Sequence, residues 1–285
     1  MSLAAGLFLC YDHDPVMRCI PCPACVLAFV AITVLALGED PTTPIVPSAP
    51  SSTPSAIVIG FVGGFVKHDD RVHSTIQVTE RLRQRFPAGV YVQAFENHRR
   101  EEAYREILRR LDLDHDGTLS AEEKRAARII LFGHSWGASE TVTLARKLEK
   151  DGIPVLLTIQ VDSIAKIGQN DAVIPGNVGQ AVNFYQPDGI LHSRHKIRAA
   201  DPAHTEIVGN FEFDYRAHPI KCDRYPWFDR FIVKSHTEIE CDPKVWNQVE
   251  SLIDLKLSPK AGQRDDQLKE SCAECGIPRS VASEK

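Results

Sequence analysis

The sequence predicts an α/β fold with a mostly parallel central sheet between two layers of helices. From Ala56 onward, short apolar runs alternate with segments of helical periodicity, the pattern of βαβ units. A glycine-flanked serine at 133–137 separates one such run from a helical segment. The chain has 285 residues, 43% of them hydrophobic, which is enough to bury one large core.

The N-terminal region has the pattern of an export signal. An apolar run, 26–37, follows Arg18, and the small residues Ala36 and Gly38 suit a signal-peptidase site. A membrane span needs about 20 apolar residues, so the run is short for one. We predict that residues 1–38 are a signal peptide of an exported protein, with a retained membrane anchor as the alternative.

Composition divides the rest of the chain. Residues 39–55 are rich in Pro, Ser and Thr and predict a linker, and residues 258–285 predict a polar tail. The α/β domain is therefore assigned to 56–257, with an acidic insertion at 100–127. Net charge is −5, and the 33 basic residues form no stripe, which argues against nucleic acid as a partner.

Within the domain, periodicity predicts strands and helices in alternation. The predicted strands are 56–62, 90–95, 128–132, 154–161, 181–185 and 228–233. The predicted helices are 74–85, 100–111, 138–150 and 243–255. The polar stretch 187–225 predicts a long excursion carrying a hairpin at 205–215.

Four of the eight cysteines lie in the leader and four lie beyond it. Cys222 and Cys241 flank one short segment and predict a disulfide in an oxidising compartment, whereas Cys272 and Cys275 form a C-x-x-C pair. The alternative is a zinc site that joins leader cysteines to the C-x-x-C pair, which would need an uncleaved leader.

The strongest catalytic signal is Gly133-His134-Ser135-Trp136-Gly137, between an apolar strand and a helix. Its two glycines permit the sharp turn that exposes a serine hydroxyl at the carboxyl edge of a sheet. The motif resembles the nucleophile elbow of the α/β-hydrolases. That resemblance implies a three-layer sandwich of the α/β-hydrolase type with Ser135 as nucleophile.

A serine nucleophile needs a base and an orienting acid, which follow in the order Ser, Asp, His in this fold. His236 is the predicted base because it lies between the last predicted strand and the last helix. Three carboxylates compete for the role of acid: Asp162 ends the next strand, Asp188 follows the strand after it, and Asp171 lies between.

A second resemblance bears on this choice. Residues 133–166, about an eighth of the chain, resemble the thioesterase domains that release products from nonribosomal peptide and polyketide synthases. Those domains take their acid from a Val-Asp-Ser sequence after the strand, which implies Asp162 here. Backbone N–H groups should also receive the developing oxyanion. We expect these from Trp136 and from the loop 63–65, at Gly64 and Phe65.

Residues 112–123 match the twelve-residue EF-hand loop at every ligand position. Carboxylate, carbonyl and water oxygens at these spacings supply the six to eight hard ligands that calcium takes. The predicted Ca²⁺ ligands are Asp112, Asp114, Asp116, Thr118, Ser120 and Glu123. No second loop is present to pair with it, so we expect a structural calcium site rather than a sensor.

Together these patterns predict a calcium-stabilised serine hydrolase that cleaves a small-molecule or lipid acyl ester, or a thioester. Two alternatives remain open from the sequence. One is a non-catalytic binding module on the same scaffold, and the other is an acyltransferase that uses the same nucleophile.

Overall fold

A six-stranded parallel sheet lies at the centre of the described residues. The structure is a computed structural model that describes residues 56–188, 191 and 193–258. The predicted leader, the linker and all but the first residue of the predicted tail lie outside these residues, so their boundaries stay predictions. Among the described helices, none is both long and apolar enough to cross a membrane.

The strands are β1 (Ala56–Val62), β2 (Val90–Glu96), β3 (Ile129–His134), β4 (Val155–Val161), β5 (Val173–Ile174), β6 (Val178–Tyr185), β7 (Arg198–Ala199) and β8 (Glu206–Glu212). Six of them form the main sheet in the order β2-β1-β3-β4-β6-β8, and β5 and β7 form a separate pair. Every pairing between these strands is parallel. The helices are α1 (Ser74–Arg85), α2 (Arg100–Leu111), α3 (Ala121–Ala126), α4 (Trp136–Lys150), α5 (Trp227–Ile232), α6 (Lys234–Cys241) and α7 (Pro243–Leu257).

Two hydrophobic clusters cover the two faces of the sheet. Side chains alternate along a strand, so Val58 of β1 packs with α1 and α7, whereas Ile57 and Ile59 pack with α2 and α4. Both faces are apolar, which is why the central strands have nearly continuous hydrophobic sequences. The result is a three-layer α/β sandwich. Its parallel sheet and strand–turn–helix elbow are those of the α/β-hydrolase type, as predicted.

Two sequence predictions are wrong. The predicted hairpin at 205–215 is one strand, β8, which pairs parallel with β6 at the sheet edge. The predicted strand 228–233 is helical, because it forms α5, and Val233 N–H donates to the Asp229 carbonyl. A short apolar run fits either structure by periodicity alone. The sixth strand of the sheet is therefore β8, which lies in the polar stretch 187–225 and not at the predicted 228–233.

The predicted disulfide between Cys222 and Cys241 is present, with Cα atoms 5.9 Å apart and a sequence separation of 19. Cys241 is the last residue of α6 and Cys222 lies in the loop before α5. The bond therefore closes a covalent loop around both short helices. In the chain-entropy model a loop of this length stabilises the folded state by about 3 kcal/mol.

Candidate active site

The turn between β3 and α4 holds Ser135 in a strained backbone conformation, with φ 57° and ψ −125°. The chain can turn this sharply because its neighbours are glycines. A Cβ atom on Gly133 would lie 2.7 Å from the Gly137 carbonyl oxygen, and one on Gly137 would collide with the Phe61 carbonyl oxygen. Strain of this kind at a non-glycine residue is typical of functional sites.

Asp162 and His236 form a buried hydrogen-bonded pair. Asp162 directly follows β4, has a positive φ of 47°, and is fully buried. Its Oδ2 lies 2.6 Å from Nδ1 of His236. The same strand end touches the elbow, because Ser135 N–H donates to the Val161 carbonyl at 3.0 Å. The backbone of Ser135 therefore lies beside the strand end that carries the pair of Asp162 and His236.

The other two acid candidates have different partners. Asp188 lies 2.7 Å from Nε of Arg216, close enough for an ion pair but without hydrogen-bond geometry. Asp171 is buried and accepts from the Ser163 hydroxyl at 2.6 Å and from Nε of Arg194 at 2.8 Å. Both carboxylates thus have structural partners away from the predicted base.

Gln186 is a site residue that the sequence analysis missed. Its backbone N–H donates to Asp162 Oδ1 at 3.3 Å, and its side-chain amide donates to Oδ2 at 3.2 Å. The orientation of that amide is fixed in turn, because the Asp188 N–H donates to Oε1 at 2.7 Å. Gln186 directly follows β6, the strand beside β4, and this position was the available signal.

The predicted base does not lie in a loop. His236 is in the first turn of α6, and its side chain is 12% exposed. Because α5 replaces the predicted last strand, a pair of short helices carries the imidazole to the sheet edge. The disulfide at Cys241 fixes the far end of α6.

A second polar cluster lies beside this pair. Glu240, one turn after His236 on α6, is buried, and its Oε1 lies 2.5 Å from Nδ1 of His73. Its Oε2 is 3.5 Å from Nδ1 of His134, whose ring lies 4.5 Å from the His236 ring. Burial opposes protonation of His73, but the Glu240 carboxylate outweighs it and raises the pKa. Burial lowers the pKa of His134 to about 4.

The predicted oxyanion donors lie on two sides of Ser135. Trp136 is the first residue of α4, so its N–H is at a helix N-terminus. Gly63 packs so closely that a Cβ there would lie 2.9 Å from Cβ of Ser135. Gly64 has a φ of 48°, and its carbonyl accepts from the Asn97 amide at 2.5 Å. The loop that carries Gly64 and Phe65 is therefore held against the nucleophile.

An aromatic pair, exposed Phe65 and half-buried Trp136, borders the same site. The Phe65 side chain is 94% exposed and packs edge-on against Trp136, with ring centroids 5.7 Å apart. Ile167 and Trp227 are also large, apolar and exposed. Ile167 follows β4 in the loop that begins at Asp162, and Trp227 begins α5, which precedes the helix of the predicted base.

The predicted calcium loop connects α2 with α3. Asp112, Asp114 and Asp116 each have a carboxylate oxygen within 4.8 Å of the others. A hydrogen bond within the loop holds its turn. Gly117 has a φ of 84°, and its N–H donates to Asp112 Oδ2 at 3.1 Å. The other Asp112 oxygen, Oδ1, is buried and has no hydrogen-bond partner among the described residues.

The remaining predicted ligands lie at the start of α3. Ser120 and Glu123 form a capping box, in which Glu123 Oε2 accepts from the Ser120 N–H at 2.8 Å. Oε1 of Glu123 accepts from the Leu113 N–H at 2.7 Å. The Leu113 and Ser120 N–H groups lower the pKa of Glu123. Thr118 N–H donates to Asp116 Oδ1 at 2.7 Å.

Comparison with known proteins gives only distant similarities. No family model matches the chain, and no curated protein matches it. A cutinase-like protein from Cryptococcus sp. is 13% identical with a TM-score of 0.37, covering 73% of this chain and 97% of its own. A thioesterase of prodiginine biosynthesis from Streptomyces coelicolor is 11% identical with a TM-score of 0.38, covering 76% and 97%.

A putative YdeN-like hydrolase from Pectobacterium atrosepticum is similar at the same level. It is 14% identical with a TM-score of 0.36, covering 72% of this chain and 95% of its own. These similarities are too distant to indicate which reaction this chain would catalyse. The assignment of the fold rests on the sheet order and the elbow of this chain, and the assignment of function rests on its site.

Proposed function

We propose that the protein is a serine hydrolase that cleaves an ester or thioester through an acyl-enzyme. The observation that carries the proposal is the 2.6 Å pair of Asp162 and His236, buried beside the strained elbow of Ser135. A carboxylate bonded to Nδ1 leaves Nε2 of the imidazole to act as base, which is the arrangement that activates a serine.

In the proposed reaction, Ser135 Oγ attacks the carbonyl carbon while Nε2 of His236 accepts the hydroxyl proton. The Trp136 N–H and the loop of Gly64 and Phe65 hold the oxyanion. The same proton then passes from His236 to the departing alcohol or thiol. Water, deprotonated by His236, cleaves the acyl-enzyme and regenerates Ser135. Asp162 stabilises the imidazolium at both stages.

The substrate we propose is a small-molecule or lipid ester with an apolar acyl part. Phe65 and Trp136 border the nucleophile and present aromatic surface to solvent, as expected of an apolar binding edge. A panel of p-nitrophenyl esters of graded chain length, with acyl-pantetheine thioesters beside it, tests the class. Rates that rise with acyl length support an apolar substrate, whereas equal rates contradict it.

We also propose that the 112–123 loop binds calcium as a structural ion. The three Asp oxygens converge, and the unpartnered, buried Asp112 Oδ1 is the kind of group a hard cation satisfies. To become a ligand, the Glu123 carboxylate would give up its hydrogen bonds to the Leu113 and Ser120 N–H groups. Calcium would neutralise this acidic loop between α2 and β3, and no step of the reaction passes through it.

We further propose export. The disulfide of Cys222 and Cys241 is of the kind that persists in oxidising compartments, and the sequence of residues 1–38 has the pattern of a leader. Cell fractionation and N-terminal sequencing test this. Cleavage near residue 38 supports a signal peptide, an intact N-terminus on membranes supports the anchor, and intact cytosolic protein contradicts both.

Labelling with a fluorophosphonate probe tests the nucleophile directly. We expect one adduct on Ser135 in folded protein and none in Ser135→Ala. Ser139→Ala is the matched control, because Ser139 lies one turn further along α4 with its hydroxyl bonded to the Trp136 carbonyl. Absence of labelling in folded, calcium-loaded protein would instead support a non-catalytic module.

A further inference from the structure

The proposed reaction leaves one buried histidine without a role. His134 precedes the nucleophile, and its side chain is 3% exposed. Its Nε2 is buried and has no hydrogen-bond partner among the described residues. An unpaired polar atom in such a place destabilises the fold, so its retention calls for an explanation.

The surroundings of His134 supply one. His134, Asp162 and His236 each have a ligand atom within 4.8 Å of the other two. Two imidazoles and a carboxylate are the donors of many zinc sites, with Zn–N distances of about 2.0–2.1 Å. Ligand atoms around tetrahedral zinc are about 3.3 Å apart at such bond lengths, so the 2.6 Å pair of Asp162 and His236 would open to admit the ion.

The position of Glu240 also favours a metal at Nε2 of His134. Oε2 of Glu240 faces Nδ1 of His134 at 3.5 Å, and a proton on Nδ1 leaves the lone pair on Nε2. Metal-bound histidines usually have a carboxylate at their other nitrogen in this way.

We propose that His134, Asp162 and His236 form a binding site for zinc, and that zinc bound there reversibly inhibits the enzyme. Zinc bound at Nδ1 of His236 would move the proton of that nitrogen to Nε2, so the imidazole would remain a neutral ligand and Nε2 could no longer accept a proton. With its base and acid both occupied, Ser135 would lose its proton acceptor. The metal site rests on the geometry, and only the inhibition rests on the proposed function.

The donor set also selects the ion. Two nitrogens and one carboxylate suit zinc, whereas calcium and magnesium prefer sites made of oxygens. The protein would thus have two metal sites of opposite preference. The 112–123 loop takes calcium without affecting the chemistry, and the His134 site takes zinc and stops it.

Isothermal titration calorimetry tests the site without reference to activity. Zinc is titrated into the full chain in saturating calcium, with Cys272→Ser and Cys275→Ser because the C-x-x-C pair could bind zinc itself. We expect zinc affinity to fall at least tenfold in His134→Leu.

His204→Leu is the matched control, because His204 also pairs with a carboxylate, Asp201, at 2.7 Å, but on the surface. It should bind zinc with unchanged affinity. Circular dichroism checks the fold of His134→Leu, and His134→Gln, which keeps a polar side chain of similar size, replaces it if it unfolds. Equal zinc affinity with and without His134, or loss of affinity in His204→Leu alone, would overturn the site.

Probe labelling of Ser135 then tests inhibition. Zinc should slow labelling at least tenfold, EDTA should restore it, and His134→Leu should show no zinc effect relative to its own metal-free rate. Zinc binding that depends on His134 but leaves labelling unchanged would refute the inhibition. If metal-free protein does not label at all, the proposed function fails while the calorimetric result on the site stands.

Discussion

Replacement of Asp162 by Asn removes one charge and keeps the size of the side chain. Both Asp162 oxygens accept hydrogen bonds: Oδ1 from the Gln186 N–H, and Oδ2 from the Gln186 amide and from His236 Nδ1. An asparagine amide has only one acceptor oxygen. In either orientation its NH₂ group therefore faces at least one donor, and one orientation forces His236 into the wrong tautomer.

The size of the effect follows from the distance. Two unit charges 2.6 Å apart interact with about 6 kcal/mol at an effective dielectric constant of about 20. An amide oxygen would retain about 1–2 kcal/mol of this as a hydrogen bond. The remaining 4–5 kcal/mol corresponds to a loss in kcat of about 10³–10⁴, and the same change in a well-studied serine protease triad costs about 10⁴.

Steady-state hydrolysis of a p-nitrophenyl ester by Asp162→Asn measures this loss. Asp188→Asn is the matched control, since Asp188 follows the neighbouring strand and pairs with Arg216. We expect it to reduce kcat less than tenfold. The reverse ranking would transfer the role of acid to Asp188, and near-normal activity in both variants would refute the account of the site.

Three further predictions concern stability. Calcium at a hundredfold excess over Kd should stabilise the fold by about 2.7 kcal/mol with little change in kcat, and Glu123→Gln should abolish the rise in Tm; a calcium effect on kcat alone would make the loop a switch. Replacing Cys222 and Cys241 by Ser should lower the free energy of unfolding by about 3 kcal/mol, and an unchanged denaturant midpoint would contradict this. The pKa of His73 is raised in the folded state, so its protonation contributes to the free energy of unfolding. That contribution is complete below about pH 6.5 and is lost as the pH rises through the higher folded pKa. The unfolding midpoints of His73→Leu and the parent should therefore converge at alkaline pH.

Sequence reasoning predicted most of the fold where periodicity and length agreed. Helices α1 and α2 begin and end at the predicted residues, and β1 does too. These segments have one clear period and buried neighbours. The errors fall in short segments without such a signal. Trp227–Ile232 is too short for its apolar pattern to distinguish a strand from a helix. The polar residues within β8 hid the alternation that would have predicted a single strand.

The site was predictable in part for a physical reason. In a parallel sheet the carboxyl ends of adjacent strands meet at one edge, so residues that follow β3 and β4 had to be neighbours. That rule agrees with the position of Asp162, which the sequence analysis took from the thioesterase resemblance, and it would also have found Gln186 after β6. It contained no information about Glu240 and His73, because they lie on helices whose packing at the edge is a tertiary property.

The most direct test of the central claim is to trap the acyl-enzyme. Protein mixed rapidly with a p-nitrophenyl ester is quenched in acid within the first turnover, digested and analysed by mass spectrometry. The account predicts a burst of p-nitrophenol and an acyl adduct on the peptide that contains Ser135, with neither in Ser135→Ala. Hydrolysis by Ser135→Ala at the parent rate, or an adduct on any other residue, would contradict it.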